Sequence, residues 1–218
     1  MKSNKFMKPQ THIKKLLLWD FDGVIADSFH EVCEAIIAAA KAYKLPIFTE
    51  QDVRNMYEIN FFEGLVARGM KKEDVPLFMS RIVKERTERR ESIAPYPGMV
   101  ELLRELFPLH HMMIISSATT EEIQTFLRRF ALDTSFHRVL GRDAGYSKTE
   151  KITRMIQEAH VLPENTYYIG DTTGDMVEGK TAGVKTIAVT WGYHTEEMLI
   201  QSKPDHIARN VRELATFL

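Results

Sequence analysis

Cysteine is nearly absent: Cys33 is the only one in 218 residues. No intramolecular disulfide can form, which fits a reducing compartment. Cys33 stands in an apolar helical stretch, where a buried structural thiol is expected. Excess charge of either sign is lacking too. Lys and Arg number 29 against 30 Asp and Glu, a formal net charge of −1. No electrostatic case therefore exists for nucleic acid or an anionic membrane as partner. Long apolar runs are missing, and none approaches the roughly 18 residues that would cross a bilayer. The opening segment, Met1 to Lys15, is basic but has no hydrophobic stretch, so it does not read as a secretory signal. Its first dozen or so residues read as a loose leader. Cytoplasmic location is the expectation. There is no internal repeat and no low-complexity segment.

What is present suits one large domain or two small ones with a buried core. Short apolar runs fall at Leu16–Trp19, Met112–Ile115, Arg138–Leu140, Tyr167–Ile169, Thr186–Val189 and His206–Ala208. Helical periodicity separates them, as in Met99, Leu102, Leu103 and Leu106, or Ile152, Met155, Ile156 and Ala159. Strands that are apolar throughout and alternate with helices predict an α/β fold with a parallel sheet covered on both faces. From about Asp27 to Ala94 the alternation stops. Val32, Ala35, Ile36, Ala39, Ala40 and Tyr43 make one helical stripe, and Val53, Met56 and Tyr57 another. Pro46 and Thr49 separate them. Leu77, Phe78, Ile82 and Val83 sit on a charged helix whose Lys84, Arg86, Arg89 and Arg90 alternate with Glu85, Glu88 and Glu91. That face reads as solvated, with mixed charge, and a phosphate-facing surface is the lesser alternative. The predicted division is a core of residues 1–26 and 95–218 and a helical unit over 27–94. Its junctions, near Ala26-Asp27 and Pro95-Tyr96-Pro97, can act as hinges.

The chemistry is concentrated where apolar runs end. Asp20-Phe21-Asp22-Gly23-Val24 follows the first run and puts two carboxylates at a strand-to-loop junction, the edge where open α/β sheets bind ligands. Gly23 lets the chain turn so that both can address one centre. One can attack while the other handles a proton. Three further signals follow in order: Ile114-Ile115-Ser116-Ser117, Ser147-Lys148-Thr149-Glu150, and Ile169-Gly170-Asp171-Thr172-Thr173-Gly174-Asp175. Ser147 and Glu150 have capping-box spacing, which starts a helix at Lys148 and puts that lysine on the site edge, with Lys151 nearly a turn away. A helix start there also favours anions. His110-His111 does not read as a metal pair, because adjacent residues cannot share a helical face and these two open a strand.

Taken together, these motifs resemble the haloacid dehalogenase-like hydrolase superfamily, in its phosphatase branch, from about Lys15 to the C-terminus. The resemblance implies a Rossmann-like three-layer core with a mainly parallel sheet and an inserted small all-α cap. It implies Asp20 as nucleophile forming an acyl phosphate and Asp22 as general acid–base. Ser116 binds a phosphoryl oxygen, with Ser117 as the neighbour that could take its place. Lys148 meets the phosphate and neutralises Asp20. Asp20, Asp171 and Asp175 form a hard oxygen site suited to Mg²⁺. By the same resemblance Asp20 and Asp171 ligate directly, Asp22 offers its backbone carbonyl, and Asp175 holds a water or orients the ligands.

The expected activity is Mg²⁺-dependent hydrolysis of a small phosphorylated metabolite, with phosphoglycolate-like or sugar phosphates foremost. The enzyme would be a monomer or homodimer. A sugar phosphomutase uses the same core and stays an alternative. A phospho-Asp receiver switch is a remote one, since it lacks a proton handler such as Asp22 and a helical insertion. Dehalogenation is disfavoured by the carboxylate at Asp22. Phosphonate hydrolysis would need a cap lysine, and nothing marks Lys41 or Lys44 as desolvated. Arg54, Tyr57, Glu58 and Arg68 are the cap side chains that could face the core.

Overall fold

The structure is a computed structural model and describes residues 15–45, 48–59 and 61–218, the side chains of 58 and 59 excepted. The leader expected before Lys15 and the break at Pro46 lie outside those residues. The chain opens with β1 (Leu16–Trp19) and a two-residue strand β2 (Ala26–Asp27). It then enters α1 (Phe29–Ala42), α2 (Glu50–Ile59), α3 (Phe61–Ala67) and α4 (Val75–Arg89). After β3 (Ala94–Pro95) it alternates: α5 (Met99–Leu106), β4 (His111–Ile115), α6 (Thr120–Arg129), β5 (Arg138–Leu140) and α7 (Lys148–Ala159). The last elements are β6 (Thr166–Gly170), α8 (Thr173–Thr181), β7 (Lys185–Val189), α9 (Glu196–Gln201), β8 (His206–Ala208) and α10 (Val211–Phe217).

Six strands form one sheet in the order β5-β4-β1-β6-β7-β8, and every pairing in it is parallel. Side chains of a strand alternate between faces, and both faces here are covered. Leu17, Trp19, Met112, Ile114 and Ile169 pack with α5, α6 and α10 residues such as Leu103, Phe126 and Leu214. Leu16, Leu18, Met113, Ile115 and Tyr168 pack on the other side with Ile152 and Met155 of α7. This double burial is why the runs are apolar throughout rather than alternating. The chain builds outward from β1 through β4 to β5, then crosses back to β6, β7 and β8. The order therefore reverses at β1, and the crevice at its carboxyl end is the expected ligand position.

The helices α1 to α4 have an apolar cluster of their own, including Val32, Ile36, Ala39, Val53, Met56, Phe78 and Ile82, and joined by Tyr193 from beyond β7. Cys33 is buried among them. Two expectations for this region are corrected. A strand pair closes its base, Ala26 against Pro95 and Asp27 against Ala94, where a strand-free helical block was expected. Two residues are too few to show a period of two. Leu77, placed with the apolar positions of α4, is 63% exposed, because Phe78 and Ile82 already fill the side facing the cluster.

Candidate active site

Register places the chemistry at one edge. Trp19 pairs with Ile114 on one side and Ile169 on the other. The chain thus leaves β1, β4 and β6 at the same end of the sheet, carrying Asp20, Ser116 and Asp171. The Asp20 backbone N–H still donates to the Ile169 carbonyl at 2.9 Å, while its Oδ1 accepts from the Phe21 N–H at 2.8 Å.

Asp20, Asp171 and Asp175 converge. Each offers a carboxylate oxygen within 4.8 Å of the others, and all three residues are buried. Lys148, first residue of α7, reaches this group with its Nζ 2.7 Å from Asp20 Oδ2 and 2.6 Å from Asp175 Oδ1. The capping box predicted at its helix start is formed by Ser147 and Glu150. Asp175 also accepts from the Tyr168 hydroxyl at 2.8 Å and from the Thr172 hydroxyl at 2.6 Å. Asp171 Oδ2 accepts from the Tyr193 N–H at 2.8 Å. The carboxylate of Asp171 lies so close to two backbones that a Cβ at Gly23, where φ is +77°, or at Gly192 would collide with it.

The electrostatics follow from burial. Desolvation pushes Asp20 up to about 7, against the opposing pull of Lys148. Desolvation and then the charges of Asp175 and Asp20 hold Asp171 well above the usual carboxylate range. Burial works against the Asp175 charge, but Lys148 and the donors from Lys148, Thr172 and Tyr168 outweigh it and leave its pKa lowered. Burial likewise opposes the Lys148 charge, and Asp175 and Asp20 outweigh it, so its pKa is raised. Three buried carboxylates face one ammonium. A bound divalent cation would balance the remaining negative charge, and an all-oxygen donor set fits a hard cation.

Asp22 faces the other way. Its Oδ1 accepts from the Ser28 hydroxyl at 2.7 Å. The Arg86 guanidinium of α4 lies 2.9 and 3.0 Å from its two oxygens. The charged face of α4 is therefore not simply solvated, which corrects the expectation. Arg86 turns to Asp22 and is held charged by it, and Glu85 is buried between Arg81 and Arg89. Among the other cap candidates, Arg54 donates to the Tyr193 carbonyl at 2.7 Å and packs over the Phe29 ring. Tyr57 meets the Tyr193 ring edge-on at 5.2 Å. Arg68 instead pairs with Asp52 inside the helical unit. The Glu58 side chain lies outside the described residues.

Ser116 is buried, with its Oγ accepting from the Ala118 N–H at 3.0 Å. Ser117 is exposed and lines a cleft of about 400 Å³ with Lys148, Thr172 and Gly174. Lys151 is buried, donating to the Ser116 carbonyl at 2.9 Å. The stretch Gly192-Tyr193-His194 escaped the sequence reading. The His194 Nδ1 lies 3.1 Å from the Thr173 N–H, and its Nε2 lies 3.1 Å from the Tyr57 carbonyl. An N–H can only donate and a carbonyl only accept. The ring is thus the neutral Nε2–H tautomer, joining the α8 start to α2. Its signal was available: the segment follows the apolar run Thr186–Val189 of β7, which ends on the same sheet edge.

The chain is 23% identical over 199 residues to a phosphoglycolate phosphatase of Synechococcus elongatus, covering 91% of this chain and 94% of that protein. It is 25% identical over 218 residues to a phosphoglycolate phosphatase of Vibrio parahaemolyticus, covering 92% and 94%. A haloacid dehalogenase-like family hydrolase from Streptococcus pneumoniae superposes with a TM-score of 0.82 at 22% identity, covering 94% of this chain and 98% of that one. Residues 17–189 match the family model for haloacid dehalogenase-like hydrolases, so the chain belongs to that family.

Proposed function

We propose that this enzyme hydrolyses small phosphomonoesters with Mg²⁺, through a phosphoryl group carried on Asp20. The observation that supports this most is the buried set of Asp20, Asp171 and Asp175 tied together by Lys148. Asp20, Asp171 and Asp175 would hold the cation, which supplies charge neutralisation for an anionic substrate. The phosphoryl group enters the cleft beside Ser117 and Lys148, with the Ser116 hydroxyl as a further donor. An Asp20 oxygen bonds to phosphorus while the ester oxygen leaves. Asp22, freed from Arg86 and protonated from solvent as substrate enters, gives that proton to the departing oxygen, then as a carboxylate takes one from the water that releases phosphate from Asp20. Residues 27–94 act as a cap whose closure excludes bulk water, with the paired strands β2 and β3 as its hinge. Phosphoglycolate, which names the relatives, is one substrate to assay. The test is multiple turnover of an aryl phosphate with Mg²⁺. Activity should vanish in excess chelator and return with the cation; full activity in chelator overturns the metal reading.

A further inference from the structure

Arg86, the partner of Asp22, also lines a cavity of about 240 Å³. Arg86 contributes from α4, Arg90 and Ile93 from the segment after it, Phe21 from the loop after β1, and Ala118 and Phe126 from the α6 side. Arg86 links it to the acid–base candidate, since the same guanidinium holds both oxygens of Asp22. Ala118 links it to Ser116 through its N–H. The cavity is therefore one side chain removed from Asp22, the group that would protonate a departing ester oxygen.

Size and charge define what it suits. The Phe21 and Phe126 rings meet edge-on at 5.0 Å and form, with Ile93 and Ala118, an apolar wall. An apolar cavity of about 150 Å³ can hold benzene, so this one has room for a ring with a substituent, well beyond a two-carbon acid. Its cations are mostly committed. Arg129 donates to the carbonyls of Arg90, Glu91 and Ile93, and Arg86 serves Asp22. Glu122 is tied to Thr119 at the start of α6. The half-buried Arg90 has no ion-pair partner among the described residues. A guanidinium in that setting suits a carboxylate, whose two oxygens match its fork.

We propose that this cavity is the leaving-group subsite and that it selects phosphate esters of a flat, ring-bearing alcohol carrying a carboxylate, which Arg90 pairs; this rests on the phosphatase reading above. The test compares kcat/KM for meta-carboxyphenyl phosphate and phenyl phosphate in the wild type and in Arg90→Gln. The wild type should prefer the carboxylated ester by about tenfold or more, as one charged hydrogen bond implies, and Arg90→Gln should bring the ratio near one. In the wild type, meta-hydroxybenzoate should inhibit competitively and more tightly than phenol, a readout independent of how the variant folds. A wild-type ratio near one, an unchanged ratio in Arg90→Gln, or equal inhibition by the two products overturns the subsite. If both aryl esters stay intact while phosphoglycolate is hydrolysed, the subsite falls and the phosphatase reading stands. If none of the three is hydrolysed, both fall.

Discussion

The two sides of the site are held together by different forces. On the core side, buried charge meets buried charge: Lys148 lies against Asp20 and Asp175, with Asp171 close by. On the side of helices α1 to α4, Arg54 and His194 cross the boundary to main-chain carbonyls, and Arg86 makes an ion pair across it. Breaking a buried pair strands a charge and costs about 3–5 kcal/mol. A hydrogen bond to a carbonyl contributes about 0.5–1.5 kcal/mol net. The core side should thus act as one inseparable unit, while contacts across the boundary can be released one at a time, as the proposed cap closure requires.

The strongest way to break this contrast is Asp20→Asn. An amide cannot form the acyl phosphate, so turnover should fall by about 10⁴-fold or more. The fold should survive without cation, since Lys148 keeps Asp175 as its partner and the substitution removes a carboxylate whose charge is already disfavoured by burial. Near-normal turnover in steady-state assays would rule out the covalent route. Next are the two lysines of α7. Lys148→Ala should cost kcat on the order of 10²–10³-fold, as loss of a preorganised charge at the reacting centre does. Lys151→Ala leaves the buried Ser116 carbonyl without its donor. It should register mainly as about 1–3 kcal/mol of stability, with a smaller loss of rate. The reverse ranking would place the phosphate beside Lys151.

The cation gives a third test. In the folded chain the Asp20 pKa is raised from 3.8 to about 7, and Asp171 shifts the same way. A raised carboxylate pKa favours the folded state most fully below the unfolded value. That contribution is lost as pH climbs through the folded one. The lowered Asp175 runs oppositely, its contribution fading only as pH falls through its lowered value. Cation-free protein should therefore lose stability between about pH 4 and pH 7 from Asp20. Mg²⁺ binds the ionised carboxylates, so it should raise Tm more near pH 8 than near pH 5; where they are ionised, the stabilisation at a hundred times its Kd is about 2.7 kcal/mol. Equal Tm shifts at both pH values would mean that these carboxylates are not its ligands.

The same contrast explains what the sequence made legible. Strands such as Leu16–Trp19 and Tyr167–Ile169 stood out because burial on both faces leaves them apolar throughout. Parallel pairing then puts every strand end on one edge, so Asp20, Ser116 and Asp171 could be grouped without coordinates. Lys148 was placed by a local rule, the spacing of Ser147 and Glu150. Arg86 obeys no such rule. Its neighbours alternate in charge, and only the packing of α1 against α4 turns it toward Asp22. Lys151 has the residue type of a surface position, yet its amine is buried because the Ser116 carbonyl lies within reach. The part of the site set by long-range packing between the insertion and the core was the part that stayed hidden.

The smallest expected effect probes the boundary itself. His194 has one ring nitrogen on the Thr173 N–H and the other on the Tyr57 carbonyl, so it ties the start of α8 to α2. In His194→Ala both links are lost. The start of α8 keeps its capping box, since Thr172 and Asp175 form it without the ring. The clustered carboxylates of Asp171 and Asp175 therefore keep their places, and the proposed closed arrangement loses support. One hydrogen bond of about 1 kcal/mol corresponds to roughly five- to tenfold in the closing equilibrium. KM should rise by about that factor, kcat should change less, and the Mg²⁺ dependence of Tm should stay as in the wild type. A fall in kcat with KM unchanged, together with a weakened Mg²⁺ response, would show that His194 supports the Asp171 loop instead. The boundary and the catalytic core would then be one unit, and the contrast between the two sides would dissolve.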